Sequence, residues 1–137
     1  MITAVDTSVL LDLLLQDPSF GTKSEEALRK ASREGALIVC EVVYAELAGL
    51  FPSQAALEAF LRETGIQLKP SSTEMLWKAG ELWRRFCLDR PRHTVVARRI
   101  IADFLIGAHA MLHAERLLTR DKDFYRDIFA GLQLTSP

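Results

Sequence analysis

The sequence predicts an α/β domain in which a parallel sheet is covered by helices on both faces. Short apolar runs of strand character alternate along the chain with longer segments of helical pattern. The runs are apolar throughout instead of alternating, as strands buried on both faces are. A chain of 137 residues that is 49% hydrophobic also has the material for one compact domain, which at this size removes about two thirds of the unfolded surface from water.

In chain order, the first predicted strand is Ile2 to Val5, followed by a predicted helix over Thr7 to Leu15, for which Asp6, Thr7 or Ser8 offers a capping oxygen. A predicted helix over Lys23 to Arg33 leads to a second strand at Ala36 to Val39. Predicted helices over Val42 to Leu50 and Gln54 to Glu63 lead to a third strand at Ile66 to Leu68. Ser71 and Glu74, three apart, form a capping box for a predicted helix over Thr73 to Leu88, whose apolar stripe is Leu76, Ala79, Trp83 and Phe86. A predicted helix over Phe104 to His113 precedes strands at Arg116 to Thr119 and Leu132 to Leu134. Trp77, Trp83, Phe86 and Phe60 lie on helical stripes and are assigned to the core; Gly107, Ala108 and Ala110 permit close helix packing. There is no internal repeat, low-complexity segment or linker, and the Pro91 region reads as a loop within a single domain spanning residues 1–137.

No window approaches the roughly 20 apolar residues that span a bilayer, and no basic segment followed by a cleavable apolar one opens the chain, so the expectation is a cytoplasmic protein without membrane contact. Cys40 and Cys87 lie in apolar segments without metal-ligand spacing and read as buried thiols. The net charge of −1 argues against indiscriminate binding to polyanions, yet the stretch from Arg84 to Arg99 holds six arginines against one acid, Asp89. Such a run is either a solvated helix end and loop or a phosphate-facing patch, since Arg pairs with phosphate oxygens through two parallel hydrogen bonds.

Four carboxylates stand out. Asp6 and Asp121 each follow a predicted strand, so a parallel sheet would bring both to one edge. Glu46 has Val42, Val43, Gly49 and Leu50 as its helical neighbours, which predicts a carboxylate withdrawn from water and in need of a cation or strong donors. Asp103 lies among Ile100, Ile101, Phe104 and Ile106 at the start of the predicted sixth helix, where capping alone would account for it. Asp12 shares a helical line with Ser8 and Gln16 and is expected to face solvent. Four acids converging on one edge repel each other unless cations neutralise them. Mg²⁺ or Mn²⁺, which prefers oxygen ligands and a substrate phosphate, meets that need, and the chemistry it predicts is phosphodiester hydrolysis.

In order and context, Asp6 in VDTSVLLDLL, Glu46 in VVYAEL, Asp103 in IADFLIGAHA and Asp121 in LLTRDKDF resemble the acidic signature of PIN-domain ribonucleases, and the chain looks most like the VapC toxins of toxin-antitoxin pairs. The resemblance implies a three-layer α/β/α sandwich with a central parallel sheet, Mg²⁺- or Mn²⁺-dependent endoribonuclease activity on an RNA substrate, a homodimer, and inhibition by a small DNA-binding antitoxin. It makes Asp6, Glu46, Asp103 and Asp121 the catalytic metal ligands, with Asp123 as a lesser fifth. Ser8 and Thr119 would orient carboxylates or metal-bound water. Arg90, Arg92, Arg98 and Arg99 are the candidate RNA phosphate contacts.

Other chemistries fit less well. His109 and His113 have the spacing of a zinc pair, but Ala110 stands where a zinc protease needs Glu; Ser8 stands where a phosphoaspartyl phosphatase needs a second Asp. The paired acids of a response-regulator receiver and a glycine-rich phosphate loop are both missing from the sequence. The competing function is a non-cleaving module that holds metal, RNA or a protein; a housekeeping RNA-processing nuclease is the alternative within the same chemistry.

Overall fold

Five short strands form one parallel sheet: β1 (Ile2–Val5), β2 (Ala36–Val39), β3 (Ile66–Leu68), β4 (Arg116–Leu118) and β5 (Gln133–Thr135), in the order β3-β2-β1-β4-β5. The structure, a computed structural model, describes residues 1–89 and 94–137, the side chains of 94–100 excepted. Seven helices are present among the described residues: α1 (Thr7–Leu14), α2 (Gly21–Glu34), α3 (Glu41–Ala48), α4 (Gln54–Thr64), α5 (Thr73–Asp89), α6 (Thr94–His113) and α7 (Lys122–Ile128). Together they complete a three-layer α/β/α sandwich. Because helices cover both faces of the sheet, the central strands bury successive residues on either side: Ala4 and Val5 on β1, Leu37, Ile38 and Val39 on β2, Leu117 and Leu118 on β4.

The register places Val5 beside Leu118, so β1 and β4 end side by side, and the amide of Asp6 continues the pairing to the Leu118 carbonyl at 3.0 Å. Gly107 brings α6 down onto the end of α7: a Cβ there would lie 2.3 Å from the ring of Phe129, itself buried. Gly65 ends α4 in the left-handed conformation (φ 70°), where a residue without Cβ carries no strain.

Several sequence expectations change. Helix α5 is capped by Ser72, whose Oγ accepts from the Met75 amide at 3.3 Å; Ser71 instead gives its amide and hydroxyl to Glu41, fastening the start of α3. Trp77 is 76% exposed and Leu76 is exposed as well, because the buried line of α5 runs through Met75 and Ala79, with Met75 taking the place read for Leu76. Trp83, Phe86 and Phe60 are partly buried and pack against the core. Cys40 is buried; Cys87 is only partly so. Helix α6 starts at Thr94, not at Phe104, and packs along α5. The loop reading of the Pro91 region lies outside the described residues.

Candidate active site

The chain leaves β1 toward β2 and β3, then returns to the other side of β1 at β4. Strand order reverses between β1 and β4, and in such sheets the carboxyl edge at the reversal is where the following segments part and open a crevice. Asp6 follows β1 at this point, and Thr119, Arg120 and Asp121 follow β4.

Asp6 is buried at the N-cap position of α1, yet its carboxylate makes no capping bond. Oδ2 instead accepts from Thr119 Oγ1 at 2.6 Å and from Ser8 Oγ at 3.0 Å. Thr119, fully buried, spends its single proton on Asp6, so it serves as acceptor for the Asp121 amide at 3.0 Å. One hydroxyl thus fixes the Asp6 carboxylate relative to the backbone of Asp121. Asp121 takes the N-cap position of α7, again without a side-chain capping bond.

The other two acids come from the helices. Asp103 lies midway along α6, which rules out the capping role expected of it. Partial burial and the charges of Asp6, Asp121 and Glu46 push its carboxyl up to about 7, against a smaller opposing pull from the Tyr125 hydroxyl. Burial, opposed by its hydroxyl donors, likewise raises Asp6, and Asp121 adds to the rise. Glu46 corrects an expectation: the residue is exposed, because α3 ends at Ala48 and the apolar neighbours beyond it, Gly49 and Leu50, form no buried face. Its carboxyl is nonetheless raised, by partial desolvation and by Asp6. Asp103 thus feels all three of the other acids, Asp6 feels Asp121, and Glu46 feels Asp6. None of them takes part in a salt bridge among the described residues.

Asp123 does not join this group. Its side chain is 91% exposed and pairs with Arg126 at 3.1 Å along α7. Arg90 and Arg92 lie outside the described residues; Arg98 and Arg99 belong to the first half of α6, where side chains are not described. Among the described residues no three His, Cys, Asp or Glu side chains are drawn together as a ready-made metal cage.

Two features escaped sequence reasoning. Asp12, expected in solvent, is 3% exposed and accepts from Ser24 Oγ at 2.7 Å and Arg120 Nη1 at 2.5 Å. The Arg120 guanidinium also stacks on Phe20, 3.9 Å from the ring centroid. It lines an open cleft of about 560 Å³ with Ser8, Asp121 and Lys122. The second is Tyr125, fully buried on α7, whose hydroxyl is pushed well above its ordinary value by burial and by Asp6, Asp103 and Asp121, and so remains a proton donor. A tyrosine four residues after Asp121, one helical turn on, was the available signal. His109, by contrast, is structural: buried, with Nε2 2.6 Å from the Lys69 carbonyl, it donates from that nitrogen and ties α6 to the end of β3.

No curated protein matches the sequence. Among solved structures, the chain is similar to one from VapBC2 of Rickettsia felis, determined bound to a DNA fragment from their promoter, with a TM-score of 0.66 and 21% identity over 99% of this chain and 98% of that one. The sequence matches the PIN domain family over residues 3–127, nearly its whole length and including Asp6, Glu46, Asp103 and Asp121. The chain belongs to the PIN domain family.

Proposed function

We propose that the protein is a Mg²⁺- or Mn²⁺-dependent endoribonuclease, the toxin of a toxin-antitoxin pair, held in check by a cognate antitoxin and active as a cytoplasmic homodimer. The observation that carries the nuclease reading is a group of carboxylates at the switch point with no side-chain cation to balance them: burial first, and neighbouring acids after it, raise Asp6, Glu46 and Asp103, and none of the four acids has a salt bridge among the described residues. All-oxygen donors short of positive charge suit a hard divalent cation. Mg²⁺ keeps several waters and takes one or two carboxylates directly, so a loose group of acids fits it better than a tight cage would. When bound, the cation supplies neutralising charge and an acidified water for in-line attack on phosphorus.

Within that reading, Asp6, Asp103 and Asp121 would hold the cation and Glu46 would complete the set from α3, while Asp123, exposed and paired with Arg126, stands apart as the weaker candidate. Thr119 and Ser8 keep the Asp6 carboxylate in one orientation. Arg90, Arg92, Arg98 and Arg99 would receive phosphates on either side of the cut. Hydrolysis of the P–O3′ bond by water would leave 5′-phosphate and 3′-hydroxyl ends. The antitoxin and the toxin role are supported by the likeness in fold to the VapBC2 chain. No helix among the described residues is long and apolar enough to cross a membrane.

The test is cleavage of structured and single-stranded RNA with Mg²⁺, with Mn²⁺ and with chelator. Metal-dependent products with 5′-phosphate ends are expected, and Asp6→Asn should abolish them while leaving the protein folded. Cleavage that survives Asp6→Asn, or products ending in 2′,3′-cyclic phosphate, would overturn the proposal. RNA or metal binding without any cleavage would leave the non-cleaving module in its place.

A further inference from the structure

The Tyr125 ring is fully buried and packs against Phe124 and Phe129, with centroids 5.1 and 6.1 Å away. Packing accounts for an aromatic side chain at this position; it does not account for the oxygen. The hydroxyl has no hydrogen-bond partner among the described residues, and a buried donor left unpaired is destabilising relative to a paired one. Phenylalanine would fill the same space without that cost. The hydroxyl lies within electrostatic reach of Asp6, Asp103 and Asp121, and its proximity to Asp103 pulls that carboxyl toward the ionised form.

We propose that Tyr125 is a positioning residue of this site: its O–H donates to the ionised carboxylate of Asp103 and holds that carboxylate in place to receive a divalent cation. The inference rests on the nuclease reading above. It gives the hydroxyl a partner in the loaded state and explains why α7, which Asp121 begins, is pinned by an aromatic bearing a polar tip. The neighbouring oxygen acceptors belong to three elements, Asp6 at the start of α1, Asp103 on α6 and Asp121 at the start of α7. Asp103, set midway along a helix with no backbone amide free to hold it, is the one that most needs an outside donor.

Tyr125→Phe separates this role from a purely structural one, because the two predict opposite signs. Thermal unfolding in chelator should show the variant as stable as the wild type or more so. Titration with Mn²⁺, followed by calorimetry, should show affinity weakened about 10- to 100-fold, as for other partners that orient metal ligands. Single-turnover cleavage should fall by a similar factor with KM for RNA unchanged. A variant less stable in chelator, with Mn²⁺ affinity equal to the wild type's, would make the hydroxyl structural and overturn the inference. Should the wild type itself bind no Mn²⁺, the nuclease reading fails and this inference with it; wild-type binding that the variant matches defeats the inference alone.

Discussion

Asp103 gives the sharpest test of the carboxylate cluster. Its carboxyl stands at about 7 in the folded chain against an ordinary value of 3.8. Between these values the folded protein holds a proton that the unfolded chain has released, so stability falls as pH rises through that window and is flat above it. At about 1.4 kcal/mol for each pH unit the penalty is bounded near 4 kcal/mol, and solvent reaching a part-buried carboxyl reduces it to roughly 2 kcal/mol. Asp103→Asn removes the titration. In chelator, the variant should therefore be about 2 kcal/mol more stable than the wild type at pH 8, moving a urea midpoint by about 1 M, and the gain should vanish toward pH 4. Added Mn²⁺ should close the gap at pH 8 by stabilising only the wild type. A gain equal at both pH values, or a variant less stable at pH 8, would refute the reasoning.

Three further outcomes are expected. Thr119→Val keeps the shape of the side chain but strips Asp6 of its shortest donor and the Asp121 amide of its acceptor; it should cost about 1–3 kcal/mol and lower cleavage about 10- to 100-fold, measured by urea denaturation and single-turnover assay. Arg120→Ala leaves Asp12 buried with only the Ser24 hydroxyl, and should destabilise by about 2–3 kcal/mol, part of which the double variant with Asp12→Ala recovers in a mutant cycle. Neutralising Arg90, Arg92, Arg98 and Arg99 together should flatten the salt dependence of RNA binding, because fewer counterions are released; an unchanged slope would return the stretch to a solvated helix end and loop.

The fold was legible because its signals are local. Unbroken apolar runs announce strands covered on both faces, and Asp6 and Asp121 are placed at one edge by the parallel direction alone. What the sequence hid is carried by long-range partners or by tertiary packing. Nothing near Asp12 foretells Arg120, 108 residues on, so a polar helical line looked solvated. The segment Val95-Val96 to Ile100-Ile101 is rich in β-branched residues of modest helix propensity, which made Asp103 look like a cap at a helix start; packing along α5 extends α6 back to Thr94 and puts Asp103 in its middle. Glu46 failed the other way, since its apolar neighbours count only if the helix continues past Ala48.

The pairing of β1 with β4 also sets a timetable. Asp6 is made well before its partners: its donor Thr119 and the neighbouring Asp121 follow it by more than a hundred residues. Until that late strand docks, a nascent chain owns isolated acids and no assembled edge, however well β2 and β3 have already paired. A chain cut short anywhere before residue 119 therefore lacks the assembled edge, its Asp6 deprived of the Thr119 donor.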